Sequence, residues 1–317
     1  MKRLLLVAAI GILFFVFGFV PYFLAGAFTV RSFQMQDDEN EGMTPASAGL
    51  AFEDVSFSAR DGVPLSGWWV PAENAKGTVV LVHGLNRSRI EMVRKVPFIH
   101  SQGWNALLFD LRRHGKSGGT VRSLGYHERQ DVLGAFDLAG KRAPGPVVVW
   151  GISFGGAAAV FAAAEEPRIA GIICDSSYRS LRDTARHHLA LFQRFAWWLR
   201  LVPVWPTADE AVFWMGRRAG FDPDDLDVVK AAARLSGRPV LFVAGSADER
   251  MPSDIAFDLK AAAGPKAAAL VVPSERRERT GPDGQKRFVS GHGHAYRDGQ
   301  KAYESAVSAI LEQSLTP

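Results

Sequence analysis

Residues 146–165, PVVVWGISFGGAAAVFAAAE, constrain the fold of this chain more than any other stretch. Residues 146–150 form a short apolar run rich in β-branched side chains, which predicts a strand, and residues 157–164 are mostly helix formers. Ser153 lies between them in the pattern G-x-S-x-G, which is typical of a serine held on a sharp strand-to-helix turn. The glycines of this pattern allow the strand and the helix to approach closely. The stretch therefore predicts a β-turn-α unit with a reactive serine at its turn.

A second match to the same pattern occurs at residues 115–119, GKSGG. Its Ser117 is separated from the preceding apolar run at residues 105–110 by Arg112, Arg113 and His114, and no helical pattern follows it. Ser117 is therefore interpreted as a loop residue.

The N-terminal region predicts a membrane-spanning helix. Lys2 and Arg3 precede residues 4–30, an uncharged and largely apolar run that is long enough to cross the hydrocarbon core, which takes about 20 residues. Basic residues before the run keep the N-terminus cytoplasmic and place the rest of the chain outside the cytoplasm. The sequence thus predicts an anchor over residues 1–31 and a membrane-anchored, extracytoplasmic domain. The alternative is a cleaved signal peptide, because residues 25–27, Ala-Gly-Ala, resemble a cleavage site.

The remaining chain predicts a single α/β domain. Residues 32–50 are polar, acidic and then small, as in a linker, so the domain covers residues 51–317. Two strand patterns at residues 52–59 and 63–70 flank an Asp-Gly turn, and from residue 77 onward strand and helix patterns alternate. This alternation predicts a mainly parallel sheet flanked by helices, with ligands bound beyond the carboxyl ends of the strands.

The alternation is interrupted by a helical insertion at residues 176–235 that is rich in Trp and Phe. The spacing of these aromatic residues is close to helical, which favours packing of the insertion against the core. Substrate contact and contact with a membrane surface are the alternatives, because insertions of this kind gate access to active sites and the domain follows an anchor.

Five motifs, in order along the chain, resemble those of the α/β-hydrolases: HG at residues 83–84, FDLRRHGKSGG at 109–119, GISFGG at 151–156, GSADERMP at 245–252 and GHGHAY at 291–296. The resemblance extends from about residue 52 to the end of the chain. It implies the α/β-hydrolase fold with a helical lid at residues 176–235, and a chain order of Ser, then Asp, then His in the active site.

The residues that match this order are Ser153 as nucleophile and Asp248 as the acid. A serine hydroxyl needs a base within hydrogen-bond reach, and a carboxylate that orients that base. The base is His292 or His294, since residues two apart in an extended segment share a face. The pattern of the family favours His294. The histidine pair also has the spacing of a metal site, but Ser153 and Asp248 account for the same residues without a metal, so none is expected.

The resemblance also implies an oxyanion hole, by residue matching, from the backbone N–H groups of Leu85 and Phe154. His83, in the same loop as Leu85, is interpreted as a structural hydrogen-bonding residue. Asp175 ends the strand after the elbow helix, where it borders the pocket or caps the lid.

The predicted function is hydrolysis of a carboxylic ester through an acyl-enzyme on Ser153, without a cofactor, on a small acyl ester or a lipid-like substrate. A peptidase or a thioesterase would use the same residues, and a catalytically idle scaffold that binds a lipid or a partner is the alternative from another class. The net charge of +4 comes without a basic stripe carrying interleaved aromatics, so no nucleic-acid partner is predicted. Cys174 is the only cysteine, which excludes an intrachain disulfide.

Overall fold

The computed structural model describes the whole chain except residues 31–39, 195–196, 236, 276, 281–285, 290 and 317. At its centre is an eight-stranded sheet with the order β1-β2-β4-β3-β5-β6-β7-β8. The strands are β1 Glu53–Ser58, β2 Pro64–Val70, β3 Thr78–Val82, β4 Asn105–Phe109, β5 Val147–Ile152, β6 Ile169–Asp175, β7 Val240–Gly245 and β8 Ala267–Val272. Strands β1 and β2 form the predicted antiparallel hairpin, β2 is also antiparallel to β4, and all other neighbouring pairs are parallel. A small separate hairpin joins β9 Arg277–Thr280 to β10 Lys286–Val289.

Helices cover both faces of the sheet. The α-helices are α1 Lys2–Phe14, α2 Val20–Thr29, α3 Val96–Ser101, α4 Glu128–Arg142, α5 Phe154–Glu165, α6 Leu181–Phe192, α7 Val204–Ala219, α8 Val228–Ala232, α9 Asp254–Ala263, α10 Ala295–Asp298 and α11 Gln300–Gln313. Two apolar clusters form the core. One lies between the sheet and α4, α5, α8 and α9, and the other between the sheet and α3 and α11. Strands β3, β4 and β5 are buried along their whole length, as expected for parallel strands covered on both faces. The predicted mainly parallel α/β architecture is therefore confirmed.

The insertion between β6 and β7, residues 176–235, is helical as predicted and contains α6, α7 and α8. Short 3₁₀ turns at Trp197–Leu201, Pro223–Asp225 and Ala233–Leu235 connect them. This segment is called the helical insertion below. Phe195, one of its aromatic residues, lies outside the described residues.

The structure describes only the second half of the predicted linker, residues 40–50. Residues 32–39 lie outside the described residues. Residues 40–50 lie on the domain, since Met43 and Leu50 pack against the core cluster beside α3. The Arg94 guanidinium also donates a hydrogen bond to the side-chain oxygen of Asn40. The second half of the segment is thus part of the folded domain.

The N-terminal helix, Lys2–Thr29, comprises α1, a π-helical turn at Phe15–Phe19, and α2. Its first part is exposed, whereas Ala25 and Thr29 are fully buried because α2 packs along α7 of the helical insertion. The sequence showed a long apolar helix but did not predict this docking, which depends on a surface formed by residues nearly 200 positions away.

Candidate active site

The loop between β5 and α5 forms the predicted elbow. Ser153 adopts φ 55° and ψ −121°, which a non-glycine residue rarely does and which is typical of functional turns. The conformation is held by a 2.6 Å hydrogen bond from the Ser153 N–H to the carbonyl oxygen of Asp175. A Cβ on Gly151 would lie 2.2 Å from the oxygen of Gly155, so the elbow closes only with glycine there. Local sequence and tertiary contact together raise Ser153 above the carboxyl edge of the sheet.

Ser153, His292 and Asp248 are joined in one line of hydrogen bonds. His292 Nε2 lies 2.8 Å from Ser153 Oγ, and His292 Nδ1 lies 2.7 Å from Asp248 Oδ2. The other oxygen of Asp248 accepts hydrogen bonds from the backbone N–H groups of Arg250 and Met251, at 3.0 Å each. Burial favours the neutral acid, but the attraction and hydrogen bond to His292 outweigh it and keep the pKa of Asp248 below its usual range. The acid is therefore ionised and fixes the Nδ1–H tautomer of His292.

The assignment of the base to His294 is corrected by this geometry. An extended segment would leave His292 and His294 equivalent, and the pattern of the family favoured His294. Residues 291–294 instead form a turn closed by a 3.2 Å bond from the His294 N–H to the Gly291 oxygen. Gly293 has φ +73°, in the left-handed region that favours glycine, and the turn directs His292 towards Ser153. His294 instead precedes α10, where its Nδ1 lies 2.8 Å from the guanidinium of Arg297.

Of the two predicted oxyanion donors, Phe154 is adjacent to Ser153 in the chain and Leu85 belongs to the loop after β3. Phe154 is the first residue of α5, and the first N–H groups of a helix have no partner within the helix. Leu85 follows Gly84, whose Cβ position lies 3.7 Å from the Cβ of Ser153. Glu91 accepts a 2.6 Å bond from the Gly84 N–H, and in the part of the chain that the structure describes the Leu85 N–H has no protein acceptor. Both amides are therefore available beside the serine.

Two buried histidines, His83 and His114, connect the loops that carry these groups. His83 Nδ1 donates to the Gly84 oxygen at 2.8 Å, and its Nε2 accepts from the Leu111 N–H at 3.0 Å. His114 Nε2 accepts from the Asn86 N–H at 3.2 Å. Burial and the nearby His114 lower the pKa of His83 to about 3, so this ring is neutral and acts as predicted, as a structural hydrogen-bonding residue.

Asp175 lies beneath the elbow and is completely buried. Its carboxylate accepts hydrogen bonds from Tyr303 at 2.9 Å and Ser176 at 2.8 Å, and Trp150 donates in turn to the Tyr303 oxygen at 3.1 Å. Burial raises its pKa. Asp175 therefore supports the elbow from below, a role that depends on the distant Tyr303 and that the sequence did not reveal.

The helical insertion contacts the loop that carries Asp248. His187 Nε2 lies 2.7 Å from the oxygen of Glu249, and His188 Nε2 lies 3.1 Å from the oxygen of Arg250. Burial, together with the charge of Arg250, lowers the pKa of His188 to about 4, so it is neutral. Sequence reasoning missed these two histidines because only the folded chain brings α6 to this loop.

The second serine motif is structural. Ser117 Oγ donates to the Asp110 oxygen at 2.6 Å and accepts from the Ser66 N–H at 2.9 Å, which ties the loop after β4 to β2.

Among the residues that the structure describes, no cluster of three or more His, Cys, Asp or Glu side chains could hold a metal ion.

Comparison with known proteins places this geometry in context. Residues 73–215 match the family model Hydrolase_4, described as serine aminopeptidase, S33. The uncharacterized protein YqkD of Bacillus subtilis is 22% identical over 258 residues, which cover 79% of this chain and 76% of that protein. The uncharacterized protein YfhR of Salmonella typhimurium is 26% identical over 311 residues, 92% of this chain and 93% of YfhR. YfhR of Escherichia coli O157:H7 is 32% identical over 181 residues, 54% of this chain and 61% of YfhR.

Solved structures share the same fold. The esterase Pf2001 of Pyrococcus furiosus superposes with a TM-score of 0.69 at 22% identity, over 90% of this chain and 98% of the esterase. Est1E of Butyrivibrio proteoclasticus, solved with ferulic acid bound, superposes with a TM-score of 0.58 at 17% identity, over 83% of this chain and all of Est1E. At these identities the similarity concerns the fold.

Proposed function

We propose that this chain is a serine hydrolase that cleaves carboxylic esters through an acyl-enzyme on Ser153. The match of residues 73–215 to the serine aminopeptidase family model and the fold shared with solved esterases support this proposal. The observation that carries the proposal is the line of two hydrogen bonds from Ser153 Oγ through His292 to Asp248. Nucleophilic catalysis by serine needs a base within hydrogen-bond reach of the hydroxyl. It also needs an ionised carboxylate bonded to the other ring nitrogen of that base.

In the acylation step, Ser153 Oγ attacks the ester carbonyl carbon while His292 Nε2 takes the hydroxyl proton. Asp248 stabilises the imidazolium that forms. The carbonyl oxygen becomes an oxyanion, which the N–H groups of Phe154 and Leu85 would bind. The C–O bond to the alcohol then breaks, and His292 gives its proton to the departing oxygen. In deacylation, a water molecule attacks the acyl carbon while His292 Nε2 takes its proton. The bond between the acyl carbon and Ser153 Oγ then breaks, His292 returns the proton to Oγ, and the carboxylic acid leaves.

An aminopeptidase, the activity in the name of the matching family model, is the second candidate. That activity needs a group that recognises the free α-ammonium of a peptide, for which an unpaired carboxylate is the usual choice. Among the residues that the structure describes, three carboxylates close to this site are engaged: Asp248 with His292, Asp175 with Tyr303, and Glu91 with the Gly84 N–H. This favours an ester over an N-terminal peptide as substrate. A thioesterase would use the same groups.

We also propose that the N-terminal helix is retained as a membrane anchor rather than removed. The carbonyl oxygens of Ala27 and Thr29 accept hydrogen bonds from Arg122, and Ala25 is fully buried in the domain. Cleavage at residues 25–27 would remove Ala25 and most of α2 from the surface of α7. Lys2 and Arg3 before the apolar run favour a cytoplasmic N-terminus and a domain outside the cytoplasm.

Ester hydrolysis by the detergent-solubilised full chain tests the catalytic proposal. The protein should hydrolyse short p-nitrophenyl esters, with the same rate in the presence of a chelator. Ser153→Ala should lower kcat by about 10⁴–10⁶-fold, because the serine, base and acid act as a unit. Ser56→Ala, on the exposed side of β1, is the matched control and should retain full activity. Undiminished turnover by Ser153→Ala would refute the assignment.

A further inference from the structure

The N-terminal helix and α7 run side by side in the same direction. The Arg218 guanidinium lies 3.9 Å from the Tyr22 ring centroid and 3.5 Å from the Cβ position of Gly26. Trp214 packs edge-on against Tyr22, with 5.4 Å between the ring centroids. The earlier turn at Phe15–Phe19 also contacts α7. The N-terminal ends of the two helices therefore lie on the same side of this contact.

This alignment fixes the depth of the helical insertion relative to a bilayer. About 20 residues are needed to cross the hydrocarbon core, so a span that begins after Arg3 ends near Phe23. The part of the helix that contacts α7 begins at Phe15, well before that end. The start of α7 must then lie beside the portion of the anchor that is in the outer leaflet. Trp205 lies at this start of α7, at a kink where its own backbone is not helical (φ −100°, ψ 134°).

The side chains at this end of the helical insertion are suited to lipid. Leu201 and Trp205 are 74% and 72% exposed, and Phe192, at the end of α6, is about half exposed. Monomeric soluble proteins rarely expose large apolar side chains in such a group, and Trp is enriched at membrane interfaces. One pair of opposite charges nearby is formed within the insertion, since Asp209 accepts two hydrogen bonds from Arg186, at 2.9 and 2.6 Å. Pairing lowers the cost of placing them near the hydrocarbon.

We propose that the helical insertion is seated in the outer leaflet of the bilayer, with Leu201 and Trp205 in contact with acyl chains. A bilayer is the expected occupant of this surface because the proposed anchor packs on α7 and holds the insertion at the membrane. Because α6 of the same insertion contacts the loop of Asp248, the seated insertion also borders the active site. Resting on the proposed function, this names the substrate class as esters whose acyl chains partition into the membrane.

Fluorescence quenching in lipid vesicles tests the contact without relying on catalysis. The full chain is reconstituted into phosphatidylcholine vesicles as Leu201→Cys or Trp205→Cys, each labelled with a thiol-reactive fluorophore. The native Cys174 stays unlabelled because it is buried and burial raises its pKa to about 12. Lys141→Cys is the matched control, because Lys141 lies at the exposed C-terminal end of α4, just before β5 and so at the amino ends of the parallel strands.

Labels at Leu201 and Trp205 should be quenched by lipids that carry a nitroxide on the acyl chain and protected from iodide, whereas the label at Lys141 should show the reverse. Iodide quenching at Leu201 and Trp205 equal to that at Lys141 would overturn the proposal. Protection from iodide without quenching by the lipid would assign the surface to another protein or a second copy, and would also overturn it.

An activity measurement separates the substrate class from the contact itself. Leu201→Ser with Trp205→Ser should leave hydrolysis of a soluble short-chain ester unchanged and should lower hydrolysis of a long-chain ester embedded in vesicles by about tenfold or more. Equal rates on the embedded ester would refute the substrate class. If the unsubstituted protein hydrolysed neither ester, the proposed function would be refuted. The quenching measurement would still test the membrane contact, because it does not depend on catalysis.

Discussion

Gly155, the second residue of α5, tests how the elbow depends on close backbone contact. A Cβ added there would lie 2.3 Å from the carbonyl oxygen of His83 and 2.6 Å from that of Val82. Ordinary contact begins at about 3.4 Å, so Gly155→Ala must push the elbow and the end of β3 apart by about 1 Å. Neither neighbour is a flexible side chain that could turn away.

The displacement has two expected consequences. Forced contact of this kind costs about 1–3 kcal/mol of the free energy of unfolding. It also moves Ser153 relative to the loop of Leu85, and a misplacement of about 1 Å at a reacting centre costs about 10²-fold in rate. Gly155→Ala should therefore be less stable and also lose about two orders of magnitude in kcat/KM on a short ester.

Gly140→Ala is the matched control. Gly140 lies in α4, and a Cβ there would meet no atom within 4 Å. Alanine should stabilise this helix by about 1 kcal/mol and leave activity unchanged. Urea unfolding and initial rates on p-nitrophenyl acetate, both in detergent, measure the two effects. If Gly155→Ala matched Gly140→Ala in stability and rate, the close-contact account of the elbow would be refuted.

Three further predictions concern individual side chains. His292→Ala should lower kcat by about 10⁴-fold or more while His294→Ala retains most activity, and the opposite ranking of their initial rates would restore His294 as the base. Because burial lowers the pKa of His83 to about 3, from about 6.5 when unfolded, the folded state resists its protonation. The free energy of unfolding should therefore be highest above pH 6.5 and fall by up to about 1.4 kcal/mol per pH unit below it, whereas His83→Gln should show a flatter urea-unfolding profile. Cys174 should react with a thiol reagent only after denaturation, and rapid labelling of the native protein would contradict its burial.

Local patterns predicted the elements of the fold. The apolar run at β5, the helix formers of α5 and the Asp-Gly turn between β1 and β2 act over a few residues, so the sequence alone indicates them. The same holds for Ser153 and Asp248, which the structure brings together through one histidine.

Features that depend on a single backbone dihedral or on distant partners could not be predicted from local sequence patterns. The choice between His292 and His294 depended on the turn at Gly293, whose φ of +73° replaces the extended segment that periodicity assumes. The docking of α2 on α7 requires the surface around Arg218 and Trp214, which exists only in the folded insertion.

Covalent labelling by a fluorophosphonate probe tests the central proposal most directly, because such a probe reports an activated serine whatever the natural substrate is. The full chain in detergent, treated with the probe and digested, should carry the phosphonyl group on the peptide that contains Ser153. His292→Ala should abolish this adduct, since the hydroxyl would lose its base, while His294→Ala should retain it. Absence of the adduct from the folded native protein, or its presence on Ser117 instead, would contradict the account of Ser153, His292 and Asp248 as a catalytic unit.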